Sequence, residues 1–186
     1  MKRQNKYILI LLAIIATAIF ATGCEDKQAI ETNKLIDAAD KKMSEAQPIF
    51  SAAMDKYAKI IGSIQDFEES KGAHDGEVKE LIASYDKVAE LQKGAAADFT
   101  QAAKLSKDET FKAYYEMTVK KIENSAALVN QNRVLAQAFI DSKTEDDYVA
   151  KVAGIKTKNE SLTKESEEIA GKLKSLGEAV KAKNKS

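Results

Sequence analysis

Ile36-Asp37-Ala38-Ala39-Asp40-Lys41-Lys42-Met43-Ser44-Glu45-Ala46-Gln47-Pro48-Ile49-Phe50 places Ile36, Ala39, Met43, Ala46 and Phe50 at alternating steps of three and four. The series runs on through Ala53, Tyr57, Ile60, Ile64 and Phe67. Such steps return side chains to one face of a helix of 3.6 residues per turn, so the face is a seam that must be buried against another helix. Three further runs repeat the pattern. The second carries Val78, Leu81, Tyr85, Val88, Ala95, Phe99 and Ala102, and the third carries Phe111, Tyr115, Thr118, Ile122, Ser125, Val129, Asn132, Ala136 and Phe139. The fourth carries Tyr148, Val152, Ile155, Asn159, Leu162, Ser166, Ile169, Leu173, Leu176 and Val180. No alternation of period two competes with these runs.

Punctuation sets the expected ends. Lys71-Gly72-Ala73-His74-Asp75-Gly76 reads as the first break, with two glycines and an Asp placed to start a helix. Ser106-Lys107-Asp108-Glu109 reads as a capping box, and Ser142 to Asp147 as a cap with three acids suited to a helix N-terminus. The runs are then 26–71, 76–105, 107–141 and 144–182. Short connections make neighbours antiparallel. The expected fold is all-α, a long antiparallel up-down bundle of about four helices, the first kinked near Pro48 because its ring clashes with a carbonyl four residues back.

Composition agrees. One proline, no tryptophan and much Ala, Lys, Glu and Leu favour long helices. Removing Lys2, Arg3 and Lys6 from the 29 basic residues leaves the chain from Cys24 at about −3, against 29 acidic residues. The two signs are interspersed, with no basic stripe for phosphates, which argues against nucleic-acid binding.

The N-terminus carries an address. A basic head, Met1-Lys2-Arg3-Gln4-Asn5-Lys6, precedes an apolar run from Tyr7 to Phe20 and the junction Ala21-Thr22-Gly23-Cys24. This is the layout of a cleaved signal peptide, and the 14-residue run falls short of the roughly 20 residues that span a bilayer. Cys24 is the only cysteine, so no disulfide partner exists within the chain. The junction resembles the lipobox of bacterial lipoproteins. That resemblance implies cleavage before Cys24, thioether lipidation of its thiol and extracytoplasmic anchoring in a bacterial envelope, since two or three acyl chains hold where one does not. Glu25 stands where an Asp resembles an inner-membrane retention signal in enteric bacteria, so the outer membrane is favoured in a Gram-negative source.

The expected division is therefore a signal peptide 1–23, a lipidated N-terminus and projecting helix 24–47, a bundle 48–182 and a polar tail 183–186. Projection follows from the break at residues 71–76, which leaves residues 25 to about 45 beyond the other helices, a spacer of about 30 Å. Its stripe of Ile30, Leu35, Ile36, Ala39 and Met43 could fold back on the bundle, meet another copy or a protein partner through residues 26–47, or lie on headgroups.

Residues equidistant from a turn lie level in an antiparallel pair. Ser125 then lies with Asn159, Thr118 with Ser166 and Ala96, and Ala96 with Phe50. One ring against small residues reads first as packing. The alternative is a ligand layer of Phe50, Thr118, Ser125, Asn159 and Ser166. His74 reads as a solvated turn residue, and Tyr114-Tyr115 as packing at the bundle end or a contact patch. No metal-ligand spacing, phosphate loop or nucleophile beside a base occurs, and no cofactor is implied. The expected function is that of a non-enzymatic, lipid-anchored interaction or structural module. The alternative is a bundle that holds a small apolar ligand between its helices.

Overall fold

The structure is a computed structural model that describes residues 27–64 and 66–183. Four helices follow one another: α1 Lys27–Ser63, α2 Phe67–Leu105, α3 Glu109–Asp141 and α4 Glu145–Lys183. Each packs antiparallel along its neighbour in sequence, giving the up-down all-α bundle that the seams require. The 39 residues of α2 or α4 extend about 58 Å.

The first turn departs from the expected one. It lies at residues 64–66, and α2 runs unbroken through Gly72 and Gly76. Asp66 is the reason. In extended conformation its carboxylate accepts the amides of Glu68 and Glu69 at 3.0 and 3.1 Å, satisfying donors that a helix start leaves unpaired. Glu68 and Glu69 complement the dipole at that end, and the ring of Phe67 is buried behind them. Neither glycine is needed for a turn: both are exposed on the helix, and a Cβ added at either would meet nothing within 4 Å.

The second and third turns fall close to their expected places with different caps. Asp108, not Ser106, opens α3, accepting from Thr110 N at 2.7 Å and Phe111 N at 3.3 Å. Ser106 closes α2 instead, its amide bonded to the Ala102 carbonyl. At the third turn Ser142 closes α3, and the Thr144 hydroxyl accepts from Asp147 N.

The earlier turn shifts α1 along α2. Lys42 pairs with Asp98, Lys56 with Glu80, and the Ser63 hydroxyl meets His74 Nε2 at 3.2 Å. These contacts centre the register near residue 69, about five residues before the expected point. Residues 27–47 therefore do not project. Ala39, Met43 and Ala46 are buried, and Leu35 and Ile36 pack on the cluster of Phe99, Ala102 and Tyr115. The helix continues across Pro48, which occupies an exposed position, as does Ser44, whose carbonyl loses its partner amide.

Two apolar clusters fill the interior. One, toward the first and third turns, holds Ile60, Phe67, Leu81, Tyr85, Val129 and Phe139. The other, toward the second turn, holds Ala39, Met43, Phe99, Tyr115 and Ile122. On α4 every expected seam position is at least half-buried, yet only Ile155, Ile169 and Val180 are fully so.

Because Gly72 and Gly76 are helical, exposed and unobstructed, Gly72→Ala and Gly76→Ala should each stabilise the protein by about 0.5–1 kcal/mol. Urea denaturation followed by circular dichroism measures this. Destabilisation by both would restore the turn to residues 71–76.

Candidate functional site

Cys24, the expected lipidation site, lies outside the described residues. The five residues of the expected ligand layer are inside them, and they do not form one layer. Phe50 packs on Tyr85, ring centroids 6.2 Å apart, in the cluster near the first turn. It is not level with Ala96, because the shifted register sets residues 42 and 98 against each other. Thr118 is buried, and its hydroxyl donates to the Tyr114 carbonyl of its own helix at 2.9 Å. Ser166 stays half-buried on α4.

Ser125 and Asn159 belong to a polar band at mid-height that separates the two apolar clusters. Gln92 Nε2 donates to Ser125 Oγ at 2.8 Å, joining α2 to α3. One residue earlier, Asn124 Nδ2 donates to the Leu162 carbonyl at 3.2 Å and to Glu165 Oε2 at 3.1 Å, joining α3 to α4. Gln92 and Asn124 are about 95% buried; Gln92 fills the seam step between Val88 and Ala95 as the one polar residue of its stripe, whereas Asn124 flanks Ser125 beside the stripe of its run. Gln92 Oε1, Asn124 Oδ1 and Asn159 Oδ1 are buried acceptors with no donor among the described residues. Amide cross-links of this kind fix which helix layers face each other, since a slipped register would leave them all unpaired.

Aromatic clusters close the two ends. At the first and third turns Phe67 stacks on Tyr148 at 5.3 Å and meets Phe139 edge-on at 5.4 Å. The Tyr148 and Tyr57 hydroxyls are 2.9 Å apart, tying α4 to α1. Burial, and for Tyr57 the bond to Tyr148, raises the pKa of both phenols. His74 is not in a loop: within α2 it bridges Ser63 Oγ and Glu77 Oε2, the latter at 2.8 Å. At the other end Tyr115 is the hub, with the rings of Phe99 and Phe111 tilted against it at 6.2 and 6.4 Å and that of Tyr114 edge-on at 6.0 Å. Tyr115 is buried, its phenol pushed up to about 12 by burial and then by Tyr114, so this residue packs. Tyr114 remains half-buried, with Gly177 of α4 against its ring.

Asp40 faces this second end. Both of its carboxylate oxygens are shielded from solvent without a hydrogen-bond partner among the described residues. Burial, and secondly the negative charge of Asp37, raises its pKa.

Among the described residues no group of three His, Cys, Asp or Glu side chains is placed to hold a metal ion, and no helix is long and apolar enough to cross a membrane. Comparison with known proteins finds no family profile, no curated protein and no solved structure that matches the chain.

A raised carboxylate pKa means that the folded chain holds the Asp40 proton more tightly than the unfolded chain. The folded state is therefore penalised above the folded pKa, and the penalty fades as pH falls toward the ordinary carboxylate value of about 3.9. Asp40→Asn, which keeps the shape without the charge, should raise the melting temperature at neutral pH and lose that advantage near pH 4. Melting curves across that range check it, and an Asn variant less stable at every pH would refute a charge penalty at Asp40.

Proposed function

We propose that this is a bacterial envelope lipoprotein, held to a membrane by acyl chains on Cys24, whose helical bundle works as an interaction or structural module and not as an enzyme. The observation that carries the reading is the junction Ala21-Thr22-Gly23-Cys24 behind a basic head and a short apolar run, with no second cysteine in the chain. A thioether to diacylglycerol uses the one thiol and leaves none to oxidise. The non-enzymatic part draws support from how the strongly shifted groups are used. Tyr57, Tyr85 and Tyr115 have raised pKa values chiefly through burial among packed helices, a structural employment of tyrosine.

Bundle and anchor are close together on this reading. Helix α1 begins at Lys27, three residues after Cys24, so no long spacer separates the lipid from the folded body. Partners are reached by the length of the bundle itself, with the first and third turns at its far end.

The ligand-binding alternative keeps one observation, the three buried amide oxygens of the mid-height band. Their chemistry suits a hydrogen-bond donor more than a purely apolar ligand.

Intact-mass analysis of the membrane fraction should give a chain lacking residues 1–23 and carrying added acyl mass. Cys24→Ser should abolish both the acylation and the membrane retention. A Cys24→Ser protein cleaved at the same bond and retained to the same extent would overturn the proposal.

A further inference from the structure

Pro48 divides α1 into two halves that are held unequally. Toward the first turn, Phe50, Met54, Tyr57 and Ile60 pack in the apolar cluster there, and the Tyr57 hydroxyl meets that of Tyr148 on α4 at 2.9 Å. Toward Lys27 the buried positions are Thr32, Ala39, Met43 and Ala46, of which Met43 alone is long. The ion pair of Lys42 with Asp98, and the passage of the Lys42 stem beside Gly94, tie this half to α2. At Pro48 itself the backbone ladder is open, because proline has no amide to give to the Ser44 carbonyl. A missing rung of this kind is where helices bend.

Asp40 stands within the lightly held half. Both of its carboxylate oxygens are shielded from water and accept no hydrogen bond among the described residues. The groups around it do not compensate. On α1, Asp37 adds a second negative charge. On α3, the Tyr114 phenol is close enough to feel the charge of Asp40 but does not donate to it, and neither does the half-buried Lys121. On α2, Asp98 at the same height is itself an acid and is paired with Lys42. On α4, Lys174 stays exposed, and Gly177, against the Tyr114 ring, has no side chain to offer. A charge in such a place is unfavourable, and it regains water when the helix that carries it moves away.

We infer that residues 27–47 form an arm hinged at Pro48, which protonation of Asp40 holds on the bundle and ionisation of Asp40 loosens. The carboxyl proton is exchanged with solvent as the arm moves. Docked, Leu35 and Ile36 cover Phe99, Ala102 and Tyr115, and uncovering these keeps the open arm the minor state. The docked arm holds the Asp40 proton more tightly than the open one. The open-to-docked ratio therefore rises by up to about tenfold per pH unit from the ordinary carboxylate value of about 3.9 to the docked pKa, and is level above it. Where Cys24 carries the anchor, an open arm sets up to about 30 Å between membrane and bundle; that consequence alone rests on the Cys24 reading.

The test uses the chain from residue 24 to Ser186 with Cys24→Ser, which holds every described residue. A single cysteine is placed at a buried position of α1, and its reaction with a disulfide reagent active in acid is compared with that of Glu45→Cys, an exposed site, at each pH. Ala39→Cys and Met43→Cys report on the arm, and Ala53→Cys reports on the half beyond Pro48. Protection at 39 and 43 should fall at least tenfold between about pH 4 and about pH 8, while protection at 53 stays within about threefold. Asp40→Asn should keep the arm at its acid level of protection throughout. Pro48→Ala, which gives the Ser44 carbonyl an amide again, should raise protection at 39 at about pH 8 severalfold. Circular dichroism of each variant shows that the helices persist. Protection independent of pH, an equal fall at 53, an unchanged fall in Asp40→Asn, or no gain in Pro48→Ala would each overturn the inference. Because the protein carries no acyl group, a failure of lipidation in cells falls on the anchor proposal and is read separately from any of these outcomes.

Discussion

The arrangement of α1 against the remaining helices depends on one carboxylate. Asp66 accepts two amides at the start of α2 and thereby fixes where that helix begins. A turn five residues later would displace each α1 residue by ten along α2, about 15 Å. Lys42 would lose Asp98, Phe50 would lose Tyr85, and Ala39 and Met43 would have nothing to pack against. The capping interaction itself contributes only about 1 kcal/mol. Its leverage comes from the packing that it aligns, together with the burial of Phe67 one residue on.

Much of the fold was legible because burial imposes its period on the sequence. Seam positions such as Leu81, Ile122 and Val129 are buried, and those of α4 are half-buried or better, since even a helix that packs chiefly on one neighbour cannot leave its apolar face to water. The second and third turns were legible for a different reason, as each carries side chains able to cap. The first turn is not legible in the same way, because Gly72 and Gly76 are the louder signal. Glycine is permissive and not obligatory in turns, and an exposed helical glycine costs only about 1 kcal/mol. The neighbouring Asp66-Phe67-Glu68-Glu69 held the information, a cap followed by a buried ring and two dipole-matched acids.

The position of the first turn carries through to the site. Phe50 lies about ten residues along α2 from the expected layer, and the first helix packs on the bundle in place of the expected stalk. The mid-height band was only half visible. Ser125, Asn159 and also Gln92 sit on seams, Gln92 being the polar step between Val88 and Ala95, whereas Asn124 flanks its own, and nothing in a one-dimensional pattern says that a flanking amide will turn inward. Without a stalk, the anchor proposed at Cys24 would stand three residues from the start of α1.

The register of α1 on α2 can be measured by pulsed electron resonance between spin labels, on a Cys24→Ser background. Glu45, Lys93 and Gln101 are all exposed helical positions, so a cysteine at each disturbs little. With the turn at residues 64–66, positions 45 and 93 lie level, and 101 lies eight residues further along, about 12 Å. The 45–93 pair should therefore give the clearly shorter distance. A shorter 45–101 distance would place the turn at residues 71–76 and release the first helix from the bundle.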